Sequence, residues 1–169
     1  MKILVTGFSG SGKSYLAKKL ADHFDLPLLY LDNVQFYGDW QERTLEEKNQ
    51  IVRDFLAKND SWVIDGNYSN VAPERFALSD ITIYLKYNRV FCYSSCLKRY
   101  FKHIGKKRES LGCIEKFDLE FQWWILFKGR TKKIKQQHLN NLYQSKGEKL
   151  IFKNRRSLNK YLKIFLKEN

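Results

Sequence analysis

Short apolar runs alternate along the chain with longer stretches whose apolar residues recur every three or four positions, the pattern of strands interleaved with helices. KILVT at 2–6 reads as a buried strand, and residues 13–24 follow with Tyr15, Leu16, Leu20 and Phe24 at helical spacing. LPLLYLD at 26–32 predicts a second buried strand ending on Asp32. NVQFYGDWQER at 33–43 is an aromatic-rich loop, and Thr44 with Glu47 makes a capping box for a helix through about Lys58. SWVIDGN predicts a third strand ending on Asp65, and DITIYLK a fourth. RVFCYSSCLKRYF at 89–101 is helical, and the basic, glycine-punctuated KHIGKKRESLGC at 102–113 is a candidate flap. One long helix is expected from about 116 to 143, then a fifth strand in EKLIFKN and a closing helix in SLNKYLKIFLK. Adjacent residues cannot share a helix face, so one of Trp123 and Trp124 is expected in the core and the other at a cleft or contact surface.

Strands alternating with helices imply a parallel sheet covered on both faces, with ligands at the carboxyl ends of its strands. Gly7, Asp32 and Asp65 all fall at such ends. The 169 residues suit a single domain. With 43% apolar and 29% charged residues the chain reads as a soluble globular protein, and WWILF at 123–127 is far too short to span a bilayer. A cytoplasmic protein without a membrane role is expected. Cys92, Cys96 and Cys113 match no zinc or redox spacing and read as small buried hydrophobes.

Charge is unevenly placed. Up to Leu85 there are 9 basic and 12 acidic residues; from Lys86 onward there are 22 and 6. Such a field attracts nucleic acid, an anionic surface or a polyphosphate ligand, or is simply a solvated lysine-rich face.

The chemistry is concentrated in GFSGSGKS, residues 7–14, which fits G-x-x-x-x-G-K-[ST] in full. Glycines let the backbone curl so that N–H groups of Gly7, Phe8, Ser9, Gly10, Ser11, Gly12, Lys13, Ser14 and Tyr15 surround phosphates, with the helix dipole behind them. Lys13 is expected to neutralise the β and γ phosphates and Ser14 to ligate Mg²⁺, so ATP and Mg²⁺ are the expected cofactors. No NKxD base-reading motif is present, which disfavours a GTPase. Gly66 and Asn67 follow Asp65 where a hydrolytic motor usually has Glu. What remains is a small kinase, in which phosphoryl transfer rests on positioning and charge neutralisation. It requires an acceptor-binding insertion, here about 33–60, and a lid, here about 102–117, with Arg99 and Arg108 able to close over the phosphates. Trp40, Phe36 and Tyr37 either stack on an acceptor ring or cover the sheet edge. No histidine is given a catalytic role.

GFSGSGKS, LLYLDN, GDW, WVIDGNYS, LSDITIYL, CLKRYFK and EFQWWILF together resemble the adenylate-kinase-like P-loop kinases, in particular the branch labelled topology modulation proteins. The resemblance covers nearly the whole chain and implies a nucleoside-monophosphate-kinase-like, three-layer P-loop NTPase fold of α/β class, with a five-stranded parallel sheet and a basic lid. It further implies that Asp65 holds Mg²⁺ through water and that Arg99 and Arg108 are lid arginines. Asp32 resembles the acid that binds an acceptor hydroxyl, and Arg75 an acceptor-side arginine. Adenylate kinases carry Asp-Gly-Phe-Pro-Arg where this chain has Asp65, Gly66, Asn67, Tyr68 and Ser69. Asn67 and Tyr68, with Arg43, complete the expected acceptor side. The acceptor stays open among nucleotides, nucleosides and other small hydroxyl compounds, and so does the oligomeric state. The alternative is a nucleotide-dependent regulator whose basic half contacts nucleic acid.

Overall fold

The computed structural model describes residues 1–38, 40–107 and 109–168. Its strands are β1 (Lys2–Gly7), β2 (Leu28–Tyr30), β3 (Trp62–Asp65), β4 (Ile81–Leu85) and β5 (Glu148–Phe152). They form one parallel sheet in the order β2-β3-β1-β4-β5. The helices are α1 (Lys13–Phe24), α2 (Leu31–Gln35), α3 (Leu45–Lys58), α4 (Glu74–Leu78), α5 (Arg89–Lys102), α6 (Leu119–Leu126), α7 (Lys132–Gln144) and α8 (Arg155–Glu168).

The three central strands are apolar on both faces because both are covered. Ile3 and Val5 of β1 join Leu16, Leu20, Leu158 and Leu162 of α1 and α8 on one side, while Leu4 joins Val34, Val52, Ile64 and Phe76 on the other. Alternating residues of one strand therefore enter opposite cores, and each aliphatic side chain fully buried this way stabilises the fold by roughly 1.5–3 kcal/mol. Pairing of Val5 with Asp65, and of Asp65 with Tyr30, aligns the carboxyl ends of β1, β3 and β2. That register collects the sheet's polar strand ends on one edge.

Three expectations are corrected. The second strand stops at Tyr30, and Asp32 sits in the first turn of α2, because the chain turns as soon as Leu31 and Val34 can bury beneath the sheet edge. The long helix is broken. α6 ends at Leu126, a 3₁₀ turn covers Lys128–Arg130, and α7 restarts on Thr131, whose hydroxyl accepts the Ile134 N–H at 3.4 Å. Neither tryptophan is core: Trp123 is 53% and Trp124 43% exposed, and Ile125 takes the buried position. The Thr44 capping box and the helix through Lys58 are present, and all three cysteines are buried without disulfides.

Candidate functional site

β1 runs directly into the phosphate loop, and α1 begins as the loop ends. Gly12, the residue before α1, has φ 89°, a left-handed conformation that glycine adopts without strain. Helices α3, α5, α6 and α7 start on capping side chains, Thr44, Asn88, Asp118 and Thr131. No described side chain caps α1. Its first-turn N–H groups, from Lys13 to Tyr15, are thus left for an anion, with the positive end of the helix dipole behind them. Gly10 lies against α5: a β-carbon there would come within 2.2 Å of the Cys92 carbonyl and 2.7 Å of Cys96 Sγ. The loop therefore rests on the helix that carries Arg99.

Electrostatics mark the same neighbourhood. Burial raises the pKa of the Cys96 thiol, while the charges of Arg99 and Lys13 oppose the shift. The His138 ring on α7 lies tilted against Phe8, centroids 4.9 Å apart, and burial, with help from Lys13 and Arg130, pushes its pKa down to about 4, so the ring is neutral. Phe8 itself is buried, so only its main chain is open to a phosphate.

Asp65, 2% exposed, closes β3 beside the loop. From there the chain ties the loop to the acceptor side within a few residues. The Gly66 N–H donates to Val5 O at 3.1 Å. The Asn67 side-chain amide meets both polar groups of Gly7: Oδ1 accepts the Gly7 N–H at 3.0 Å, and Nδ2 donates to Gly7 O. The Tyr68 hydroxyl donates to Asp32 Oδ1 at 2.9 Å; burial foremost, then the Asp32 charge, raises the Tyr68 pKa, so the phenol stays protonated.

The predicted acceptor residues separate into two groups. Asp32 and Tyr68 do meet, through that hydrogen bond. Arg75 is turned into the interior: the residue is 0% exposed, with Nη1 donating to Val71 O and Ala72 O, Nη2 to Tyr68 O, and the guanidinium over Phe76 at 4.3 Å. Burial lowers its pKa to about 10, still leaving a cation at neutral pH. Arg75 is the post around which residues 68–72 are wound, which corrects its assignment to the acceptor. Asn67, also expected on substrate, is engaged with Gly7 instead. Arg43 Nη1 is taken up by the carbonyls of Asn33, Val34 and Phe36 at the end of α2. Trp40 Nε1 donates to Ile114 O at 3.1 Å, stitching the insertion to the lid.

The lid is packed down. Asn33 Nδ2 donates to Glu109 O at 2.7 Å, Cys113 Sγ approaches Tyr37 O at 3.6 Å, and Lys18 pairs with Glu109 at 3.3 Å. Arg99 donates to Glu115 Oε1 from Nε at 3.0 Å and Nη2 at 2.6 Å, tying the lid to α5. Arg108 lies outside the described residues. One cation was missed from the sequence: Arg130, at the break between α6 and α7, covers the Phe8 ring at 3.7 Å, and its Nη1 donates to Tyr87 O at 2.7 Å. Its signal was hidden because the break that positions it was read as continuous helix. Beside the loop, between α1 and α8, a cavity of about 640 Å³ is lined by Ser11, Gly12, Tyr15, Lys19, Tyr87 and Arg155. Ser11 Oγ and Tyr87 OH are buried there with no hydrogen-bond partner among the described residues.

Solved structures share the fold of this chain. An uncharacterized protein from Eubacterium ventriosum ATCC 27560 matches at 17% identity over 99% of both chains, with a TM-score of 0.52. Shikimate kinase from Acinetobacter baumannii, in complex with shikimate, matches at 11% identity over 99% of this chain and 94% of that one, with a TM-score of 0.58. This is the P-loop NTPase fold. At these identities the likeness concerns architecture. No family model and no curated protein matches the chain. Among the described residues no helix is long and apolar enough to cross a membrane.

Hard oxygen donors suit Mg²⁺, which takes one or two protein oxygens and completes its shell with water and substrate phosphate. Ser14, in the first turn of α1, and Asp65, at the end of the strand beside it, are such a pair, and among the described residues no cage of three or more His, Cys, Asp or Glu competes with them.

Proposed function

We propose that the protein is an ATP-dependent small kinase that transfers the γ-phosphoryl group to a hydroxyl of a small acceptor. The observation that carries this reading is the uncapped start of α1 behind a complete GFSGSGKS loop, with Asp65 beside it and the Asp32–Tyr68 pair beyond. Both the sequence motifs and the fold shared with shikimate kinase support it. The motifs favour an adenylate-kinase-like enzyme of the topology modulation branch, acting in the cytoplasm.

In this reading the nucleoside enters the cavity between α1 and α8, and the triphosphate lies along the loop. Main-chain N–H groups and Lys13 hold the β and γ phosphates and stabilise the charge that spreads over the transferring group. Ser14 and Asp65 would hold Mg²⁺, which would supply charge neutralisation for the transferring phosphoryl group. Asp32, steadied by the Tyr68 hydroxyl, accepts a hydrogen bond from the acceptor hydroxyl and orients it for in-line attack. The lid, held by Arg99 and Glu115 and bearing Arg108, excludes water that would otherwise be phosphorylated in place of the acceptor.

ADP release from Mg·ATP, measured against nucleoside monophosphates, nucleosides and small hydroxyl acids and sugars, tests the proposal. Stimulation by one acceptor, lost in Asp65→Asn by about a hundredfold, is expected. Silence across the panel with stimulation by DNA overturns it. The latter favours the second reading, a nucleotide-dependent nucleic-acid-binding regulator, for which the 22 basic against 6 acidic residues after Leu85 speak. DNA affinity falling steeply with salt would be its signature.

A further inference from the structure

We infer that Asn67 is a positioning residue for the phosphate loop, setting the loop's geometry through the peptide groups of Gly7; the inference rests on the nucleotide-binding reading of that loop. A carboxamide is the side chain best suited to this contact. It presents one acceptor and two donors in a plane, so it can receive the Gly7 N–H and return a hydrogen bond to the Gly7 carbonyl at once. Two bonds on one residue fix the rotation of the peptide planes on both sides of Gly7, which a single bond cannot do.

Gly7 is where this control matters most. It is both the last residue of β1 and the first of the loop, so the orientation of its carbonyl decides the direction in which the chain leaves the sheet. The turn immediately after it, closed by the Ser11 N–H on Phe8 O at 3.0 Å, depends on that direction. The loop's remaining supports act farther along, at Gly10 against α5 and at Gly12 before α1.

Asn67 is itself well anchored. Gly66 bonds to Val5 across the β1–β3 register, and Tyr68 is held at its carbonyl by Arg75 and at its hydroxyl by Asp32. The segment therefore spans from Gly7 to the acceptor-side carboxylate within two consecutive residues, Asn67 and Tyr68. Asn67 acts through Gly7 and touches no phosphate, so its loss should weaken nucleotide binding without removing a reacting group.

The test compares wild type, Asn67→Leu and Asn67→Gln. Leu keeps the volume and removes both bonds, while Gln keeps the carboxamide one methylene farther out. Two measurements are made on each: Mg·ADP affinity by calorimetry, and hydrogen exchange of the Gly7 amide in the nucleotide-free protein. Loss of two neutral hydrogen bonds predicts roughly tenfold weaker Mg·ADP binding in the Leu variant and faster exchange at Gly7, with Gln recovering part of both. If N67L fails to fold, N67Q against wild type carries the comparison, with intermediate values of both readouts expected. Mg·ADP affinity within twofold of wild type in the variants, or Gly7 exchange that does not change, overturns the inference. A wild type that binds no nucleotide instead refutes the proposed function, and the exchange at Gly7 still reports whether Asn67 holds the loop.

Discussion

The phosphate loop and the acceptor side, which meet along one edge of the sheet, use their residues in opposite ways. At the loop the main chain is left open: the start of α1 has no capping side chain, and the loop's shape comes from glycine at Gly10 and Gly12. On the acceptor side and at the lid the described arginines are already engaged. Arg43 holds the end of α2, Arg75 holds the 68–72 turn, and Arg99 holds Glu115. The difference teaches that a motif whose backbone does the binding can be recognised from residue spacing alone. An arginine in the right stretch cannot, because carbonyls and carboxylates of its own chain compete for it.

The sharpest way to break this contrast is at Lys13. Lys13→Ala is expected to lower turnover at least a thousandfold in the ADP-release assay while leaving the unfolding midpoint nearly unchanged. A stability loss without an activity loss would place Lys13 with the structural cations. Arg75 is the reverse case. Arg75→Met takes the side-chain donor from the carbonyls of Tyr68, Val71 and Ala72, of which Tyr68 and Ala72 keep a main-chain N–H, and should destabilise the protein by roughly 3 kcal/mol in urea unfolding. Acceptor KM measured on the folded fraction should stay within twofold; a rise confined to acceptor KM would return Arg75 to the substrate.

The pH dependence of stability tests the packing beneath the loop. His138 titrates at about 4 in the folded chain against about 6.5 when unfolded, so between those values the unfolded chain binds more protons. The contribution is complete above pH 6.5 and is lost as pH falls, approaching about 3 kcal/mol at pH 4. A His138→Gln variant, which does not titrate, should lose this acid-side slope, and unfolding curves at pH 4, 5, 6 and 7 would show whether it does. The smallest effect is expected at the lid. Glu115→Gln removes the charge that holds Arg99 and should raise KM for ATP two- to fivefold with less change in kcat. An unchanged KM would mean that Arg99 does not depend on Glu115 for its place.

Legibility in the sequence followed the same division. The strands, α1, the α3 capping box and the buried cysteines were readable because each rests on local pattern or on one bond between near neighbours. The end of β2 was not, since LLYLD stays apolar past the point where the sheet has no room and the chain turns into α2. The break at residues 127–131 was missed for a related reason: Phe127 continues the apolar rhythm, and only the Thr131 cap and the packing of Arg130 over Phe8 reveal the restart. Arg130 was hidden with it. Asn67 and Arg75 were placed near the right loop but given the wrong partner, because both bond to main-chain groups, which carry no sequence signal.

The contact between Gly10 and α5 fixes where the lid can hinge. With no room for even a methyl group between the loop and Cys92, the helix cannot tilt without dragging the phosphate cradle along with it. Any swing of the lid must therefore be taken up beyond the helix end at Lys102, and the nearest point built for it is Gly105, with φ 68° and open space where a side chain would be. On the proposed reading, the phosphate loop keeps its form while the segment beyond Lys102 moves, with Gly105 near one end of that segment and Gly112, also at φ 68°, near the other.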